Sequence, residues 1–153
     1  MPIGDYCQRD VRTVDGSETL REAAKKMAEE GVGSLVVLQG RHPRGLLTDR
    51  DLALRVLRNG ADADVMTALE AVSGDLVVVH ETSPLRAATA VMRRSARRRL
   101  PVVDAQGELV GVIAFDDVLR LVARELMDVS EVVASQAPSG TSPLVASDAP
   151  EVE

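Results

Sequence analysis

Aromatic side chains are almost missing from this sequence: Tyr6 and Phe115 stand alone, and there is no Trp. A core must therefore be built from Val, Leu, Ala and Met, and the 45% hydrophobic content is enough for one. Such a composition suits sheets covered by small-residue helices. The single Cys7 excludes an internal disulfide and fits a reducing compartment. No apolar run approaches the ~18–20 residues of a membrane span, and no basic-plus-apolar leader precedes the first polar residues. The expectation is a cytoplasmic protein without membrane contact. Acids outnumber bases, 24 to 18. The formal net charge is −6, and from Ser130 onward the acids Glu131, Asp148, Glu151 and Glu153 meet no Lys or Arg. The remainder is close to balance, which argues against a general nucleic-acid binder.

What the sequence does hold is a repeat. Displaced along itself by 65 positions, it aligns Val14 with Val79, Leu20 with Leu85, Ala23 with Ala88 and Met27 with Met92. Leu35 then falls on Leu100 and Val37 on Val102; one extra residue in the second copy brings Gly45 onto Gly111 and Asp51 onto Asp117. The openings match more loosely, Asp5-Tyr6-Cys7 against Asp64-Val65-Met66. Two copies of one supersecondary unit are the feature from which the fold must be argued.

In the first copy, Val11 to Val14 reads as a strand. Thr19 and Glu22 open a helix with capping-box spacing, its stripe is Leu20, Ala23, Ala24, Met27 and Ala28, and Gly31 stops it. Ser34 to Leu38 is a buried strand, and a turn leads to a strand from Gly45 to Leu47. A helix over about 49–58 turns Leu52, Val56 and Leu57 inward. The second copy repeats the order: a strand over Leu76 to Val79, a helix after Ser83-Pro84 with Pro at the first helical position, a hairpin of Leu100 to Val103 with Leu109 to Ile113, and a helix from Asp116 to about Met127. Each unit is β-α-β-β-α. The expected class is α/β (α+β), with two repeats packed sheet-to-sheet about a pseudo-twofold axis. The boundaries are 3–63, 64–129 and a disordered acidic Ala/Ser/Pro tail over 130–153; VSEVV, Val129 to Val133, is a candidate extension of the last helix.

DVMT at the second opening, RRLPVVD before the second hairpin and GLLTDRD at the end of the first copy make this arrangement resemble a tandem pair of cystathionine β-synthase (CBS) domains, a Bateman module. The resemblance covers about residues 3 to 128 and implies a stand-alone CBS-pair protein. It implies two quasi-equivalent cleft sites for an adenine nucleotide (AMP, ADP or ATP), less readily S-adenosylmethionine or another adenosyl ligand, and a homodimer. In the family's strand–turn–helix motif a Ser/Thr approaches a phosphate and an Asp three residues later bonds the ribose hydroxyls; here these are Thr48 and Asp51. The resemblance also points to Thr13, Val14, Val32, Gly33 and Ser34 around adenine. The second copy keeps Asp117 but has Ala114 for the hydroxyl. Arg98 and Arg99 stand where basic residues in relatives reach phosphates.

Ordinary chemistry supports these roles, since a carboxylate accepts from both ribose hydroxyls and a helix N-terminus favours an anion. It supports a plainer one too. T-x-x-D at a helix start is a capping box worth ~1 kcal/mol without any ligand. The run Arg93, Arg94, Arg97, Arg98, Arg99 reads as a solvated helix face, as a phosphate contact through Arg98 or Arg99, or as a nucleic-acid patch, the last without an aromatic platform to accompany it. No nucleophile stands with a base and an oxyanion site, and no Cys–His metal pattern occurs. The expectation is a non-catalytic sensor without covalent cofactor, signalling through dimer packing or an unidentified protein partner. The alternative is a ligand-independent dimerisation or stress-response protein.

Overall fold

The computed structural model describes residues 1–72 and 75–135. Met1–Arg120 form one compact unit, and a second unit begins at Leu121. In the first repeat, β1 (Thr13–Asp15), β2 (Ser34–Gln39) and β3 (His42–Thr48) form a sheet in that order, β1 parallel to β2 and β2 antiparallel to β3. Helix α1 (Leu20–Glu30) links β1 to β2, and α2 (Asp49–Ala53) follows β3. The second repeat has the same pattern: β4 (Val79–His80), β5 (Arg99–Val103) and β6 (Leu109–Ala114) in one sheet, α4 (Leu85–Ser95) before β5, and α5 (Phe115–Ser135) after β6. The mixed α/β class and the duplicated three-stranded sheets are as expected.

The local signals act where they were read. Thr19 accepts from the Glu22 amide while Glu22 accepts from the Thr19 amide at 2.7 Å, and Gly31 ends α1 in the left-handed conformation at φ 64°. Leu20, Ala23 and Met27 are buried with Val14, Leu35, Val37 and Leu47 in the first core. Their counterparts Ala88, Met92, Leu100, Val102 and Ile113 make the second.

Several boundaries differ, each for a physical reason. Pairing of β1 with β2 begins only at Thr13, and of β4 with β5 only at Val79, so both strands start later than expected. Pro84 caps α4 in extended backbone at φ −69°, ψ 150°, outside the first turn, and helix begins at Leu85. After α2 the chain widens into a π-helical turn over Leu54–Arg58. That change of period turns Leu57 out to 84% exposure, while Leu52 and Val56 stay against the core. The last helix runs to Ser135, past Met127 and into the expected tail; the rest of the 130–153 assignment lies outside the described residues. A short helix, α3 (Ala68–Ala71), was not anticipated, although Thr67 and Glu70 carry its capping box in plain T-x-x-E spacing.

Sequence repeats and packed cores do not coincide. Ala68 and Ala71, in the opening of the second repeat, are buried in the first core, whereas Ile3, at the opening of the first, is fully buried in the second. The exchange is pinned by paired backbone bonds: the Leu20 amide donates to the Met66 carbonyl at 2.9 Å and the Leu85 amide to the Met1 carbonyl at 3.1 Å. The bridge Thr19–Thr67 likewise mirrors Pro84–Pro2. The openings therefore correspond as Met1 with Met66, Ile3 with Ala68 and Cys7 with Val72, at the same displacement as the helices, rather than as Asp5 with Asp64. The same twofold relation places Val72 against Gly45 and Cys7 against Gly111. Each repeat thus needs the other to complete its core, which holds the two sheets in fixed relation and shapes the cleft.

Candidate functional site

Thr48 is the last residue of β3, paired with Ser34 on β2, and it caps α2. Its amide and hydroxyl both donate to Asp51 Oδ2, at 2.9 and 2.7 Å, and its Oγ1 accepts from the Asp51 amide at 3.1 Å. The capping role is therefore real. It occupies only one carboxylate oxygen; Oδ1 has no hydrogen-bond partner among the described residues, so Asp51 keeps an acceptor to offer a hydroxyl.

Thr48 and Asp51 line a hollow of about 280 Å³ whose other walls are Leu46, Arg97, Arg98 and Arg99. A larger hollow of about 370 Å³ adjoins it, sharing Leu46 and Arg99 and bounded by Asp10, Val11, Arg12, Val32, Gly33 and Ser34 among others. The second repeat's arginines thus face the first repeat's T-x-x-D turn. Arg12 is neutralised by Asp10 and Glu30, both at 2.6 Å. Arg98 is held by Asp116 at 3.1 Å and lies 5.6 Å from the Phe115 ring centre. Arg97 and Arg99 make no ion pair among the described residues, so two uncommitted guanidinium groups border this space. Together, small apolar walls, a spare carboxylate oxygen and two free cations suit a nucleoside carrying phosphate.

The expected site residues divide. Thr48, Asp51, Val32, Gly33, Ser34, Arg98 and Arg99 come together on these two hollows. Thr13 and Val14 do not: Val14 is 1% exposed inside the first core, and Thr13 belongs to the paired part of β1. The preceding Val11 and Arg12 line the cleft instead. Asp117 stands apart as well, 3.4 Å from Arg120 and on neither hollow. Arg93 and Arg94 are exposed on α4, as a solvated face would be.

Sequence reasoning missed Asp10, Arg12 and Arg97 as lining residues. Arg97 was within reach, since the displacement that sets Arg98 and Arg99 on Gly33 and Ser34 sets Arg97 on Val32. Among the described residues no group of three His, Cys, Asp or Glu side chains gathers to hold a metal. Burial pushes the Cys7 thiol up from its ordinary value, so it is a poor nucleophile. No helix of the described residues is long and apolar enough to cross a membrane.

Comparison with known proteins agrees with this architecture. The CBS domain family model matches residues 3–58 and 63–124. An uncharacterized protein of Methanopyrus kandleri, MK0525, is 35% identical over 120 residues; the match covers 78% of this chain and 61% of that one. The chain thus spans less than two thirds of that relative. The crystal structure of Hypoxic Response Protein I with two coordinated zinc ions is similar at a TM-score of 0.71 and 30% identity, covering 78% of this chain and 98% of that one. The CBS domain protein PAE2072 from Pyrobaculum aerophilum complexed with AMP is similar at a TM-score of 0.67 and 28% identity, covering 76% and 89%.

Proposed function

This chain belongs to the CBS domain family, with two matched repeats, and from that premise we propose that it is a non-catalytic regulatory module binding an adenine nucleotide in the cleft between them. The observation that carries this reading is the meeting of Thr48 and Asp51 from one repeat with Arg97 and Arg99 from the other around one hollow. Asp51 would accept from the ribose hydroxyls through Oδ1, Thr48 and the arginines would take phosphate, and Val32, Gly33 and Ser34 would flank the base. The AMP complex of PAE2072 supports the ligand class. Binding would favour the conformation in which the two repeats close on the nucleotide, and that population shift is the signal passed to a homodimer or another protein partner.

Isothermal titration of the purified chain with AMP, ADP, ATP and S-adenosylmethionine tests the proposal. At least one of them binds, and Asp51→Ala weakens it by about tenfold or more, the loss of one well-placed hydrogen-bonded contact. Silence from all four, or binding indifferent to Asp51→Ala, refutes it.

A second reading, dimerisation without ligand, has its own observation. On α5 the apolar residues Phe115, Leu119, Val122, Leu126, Val129 and Val133 recur at alternating steps of four and three, and all six are exposed at 41% or more. That is the spacing of a heptad seam, by which the helix would pack on another helix. It predicts a dimer in sedimentation equilibrium whose melting temperature no nucleotide moves.

A further inference from the structure

Helix α5 carries an apolar seam that the described residues leave open, and its two ends differ in charge. From Glu125 to Ser135 the helix has Glu125, Asp128 and Glu131 and neither Lys nor Arg. At the other end Phe115 lines a mainly apolar hollow of about 430 Å³ with Met92 and Ala96, and Arg93, Arg97 and Arg98 stand around it. Asp116 holds Arg98, whereas Arg93 and Arg97 make no ion pair among the described residues. The seam thus starts beside a basic hollow and ends in an acidic stretch. Two Arg against five Asp and Glu along the whole helix do not suit an anionic lipid surface. A second copy of the same helix does suit it.

The order of side chains decides the direction. In heptad terms Leu119 and Leu126 fall at a, and Val122 and Val129 at d. Two parallel copies in register would stack Leu on Leu and Val on Val, and Val at a with Leu at d, the reverse order, is what favours two parallel strands. Turned antiparallel about a twofold axis at Arg124, the seam sets Phe115 on the partner's Val133, Leu119 on the partner's Val129 and Val122 on the partner's Leu126. Every layer then joins a larger side chain to a smaller one. The same turn brings each acidic end to the other copy's arginines. One pair of like charges meets, Glu125 with the partner's Glu125 near the axis, a small cost beside the apolar seam. Covering the six exposed seam residues in both copies removes on the order of 1,200 Å² from water, the lower end of a stable interface.

We infer that α5 pairs antiparallel with α5 of a second copy, the acidic end of each seated at the arginine-rimmed hollow of the other. This rests on the reading of α5 as a dimer surface and adds its direction and its electrostatic anchor. It needs no nucleotide.

The test starts with sedimentation equilibrium of the full chain, where a dimer is expected that weakens as salt rises. Leu126→Asp, at an exposed position, is expected to weaken it by about tenfold or more while the melting of the monomer stays put. Arg93→Glu is expected to weaken it severalfold. Direction is read by disulfide formation in a Cys7→Ser background. Chains carrying Val122→Cys are expected to link to chains carrying Leu126→Cys, and neither to its own kind. A dimer whose Val122→Cys or Leu126→Cys chains link to themselves, or one indifferent to Arg93→Glu, overturns the inference and leaves dimerisation through α5 standing. A monomer, or a dimer indifferent to Leu126→Asp, overturns both.

Discussion

Ala96 is the one non-glycine residue in the left-handed region among the described residues, at φ 53° and ψ 30°, where it ends α4. The matching position at the end of α1 is Gly31, at φ 64° and ψ 34°. Both caps donate the same way, Gly31 to the Met27 carbonyl and Ala96 to the Met92 carbonyl. An L-residue in this conformation costs roughly 1–2 kcal/mol through its Cβ. Replacing it by Gly removes that cost but gives back about 0.4–1 kcal/mol through the freer unfolded chain. Ala96 is exposed, so little packing is lost with its methyl. The balance for Ala96→Gly is a gain of about 0.5–1 kcal/mol. Gly31→Ala is the mirror experiment: a Cβ there meets nothing within 4 Å, so its cost is conformational only. It should lose about the same amount. Urea unfolding reads both as midpoint shifts of opposite sign with unchanged slope, and calorimetry as Tm shifts of about 1–4 °C. An Ala96→Gly variant that is no more stable than the wild type refutes the reasoning.

Gly111 is tighter still: a Cβ would stand 2.6 Å from Cys7 Sγ and 2.8 Å from the Gln8 carbonyl oxygen, which a two-way bridge to Val112 holds in place. Gly111→Ala should cost about 1–3 kcal/mol in chemical unfolding, partly recovered by adding Cys7→Ala, because only the sulfur can be removed. Acid should weaken the fold in a defined window. Asp15 is held below its ordinary value by the Ser17 hydroxyl and amide, Asp64 by the Arg21 guanidinium and Glu70 by the Thr67 amide and hydroxyl. Their folded pKa values are lowered, so the unfolded chain binds more protons in that range. The contribution is complete above their ordinary values of 3.8 for Asp and 4.5 for Glu and is lost as pH falls below them. Melting temperature followed from pH 6 to about pH 3 should fall, and Asp64→Asn should flatten part of the slope.

Much of this architecture is legible in the chain itself. The stripe of α1, the T-x-x-E and T-x-x-D caps, the apolar strands and the duplication all act through neighbours in sequence, where period and spacing carry the information. The capping box at Thr67 is equally legible, but α3 is a single turn with no periodic stripe to announce it. Val14 shows where local reading stops. Alternation says that it faces one side of β1, but which side is core depends on where pairing with β2 begins. Leu57 is similar, since a π-helical turn changes the period on which its inward placement rested.

The sequence by itself determined that one supersecondary unit occurs twice, which stripe of each long helix and which central-strand residues are apolar, and that Thr48–Asp51 is a complete motif while Ala114–Asp117 is half of one. Only tertiary structure decided that each repeat lends its opening to the other's core, and that Arg97, Arg98 and Arg99 of the second repeat meet the Thr48–Asp51 turn of the first. The physical reason is one of range. Helices, caps and strands are held by contacts a few residues apart, which spacing encodes. The exchange of Ile3 with Ala68 arises from side chains meeting across a pseudo-twofold axis that no stretch of the chain contains alone.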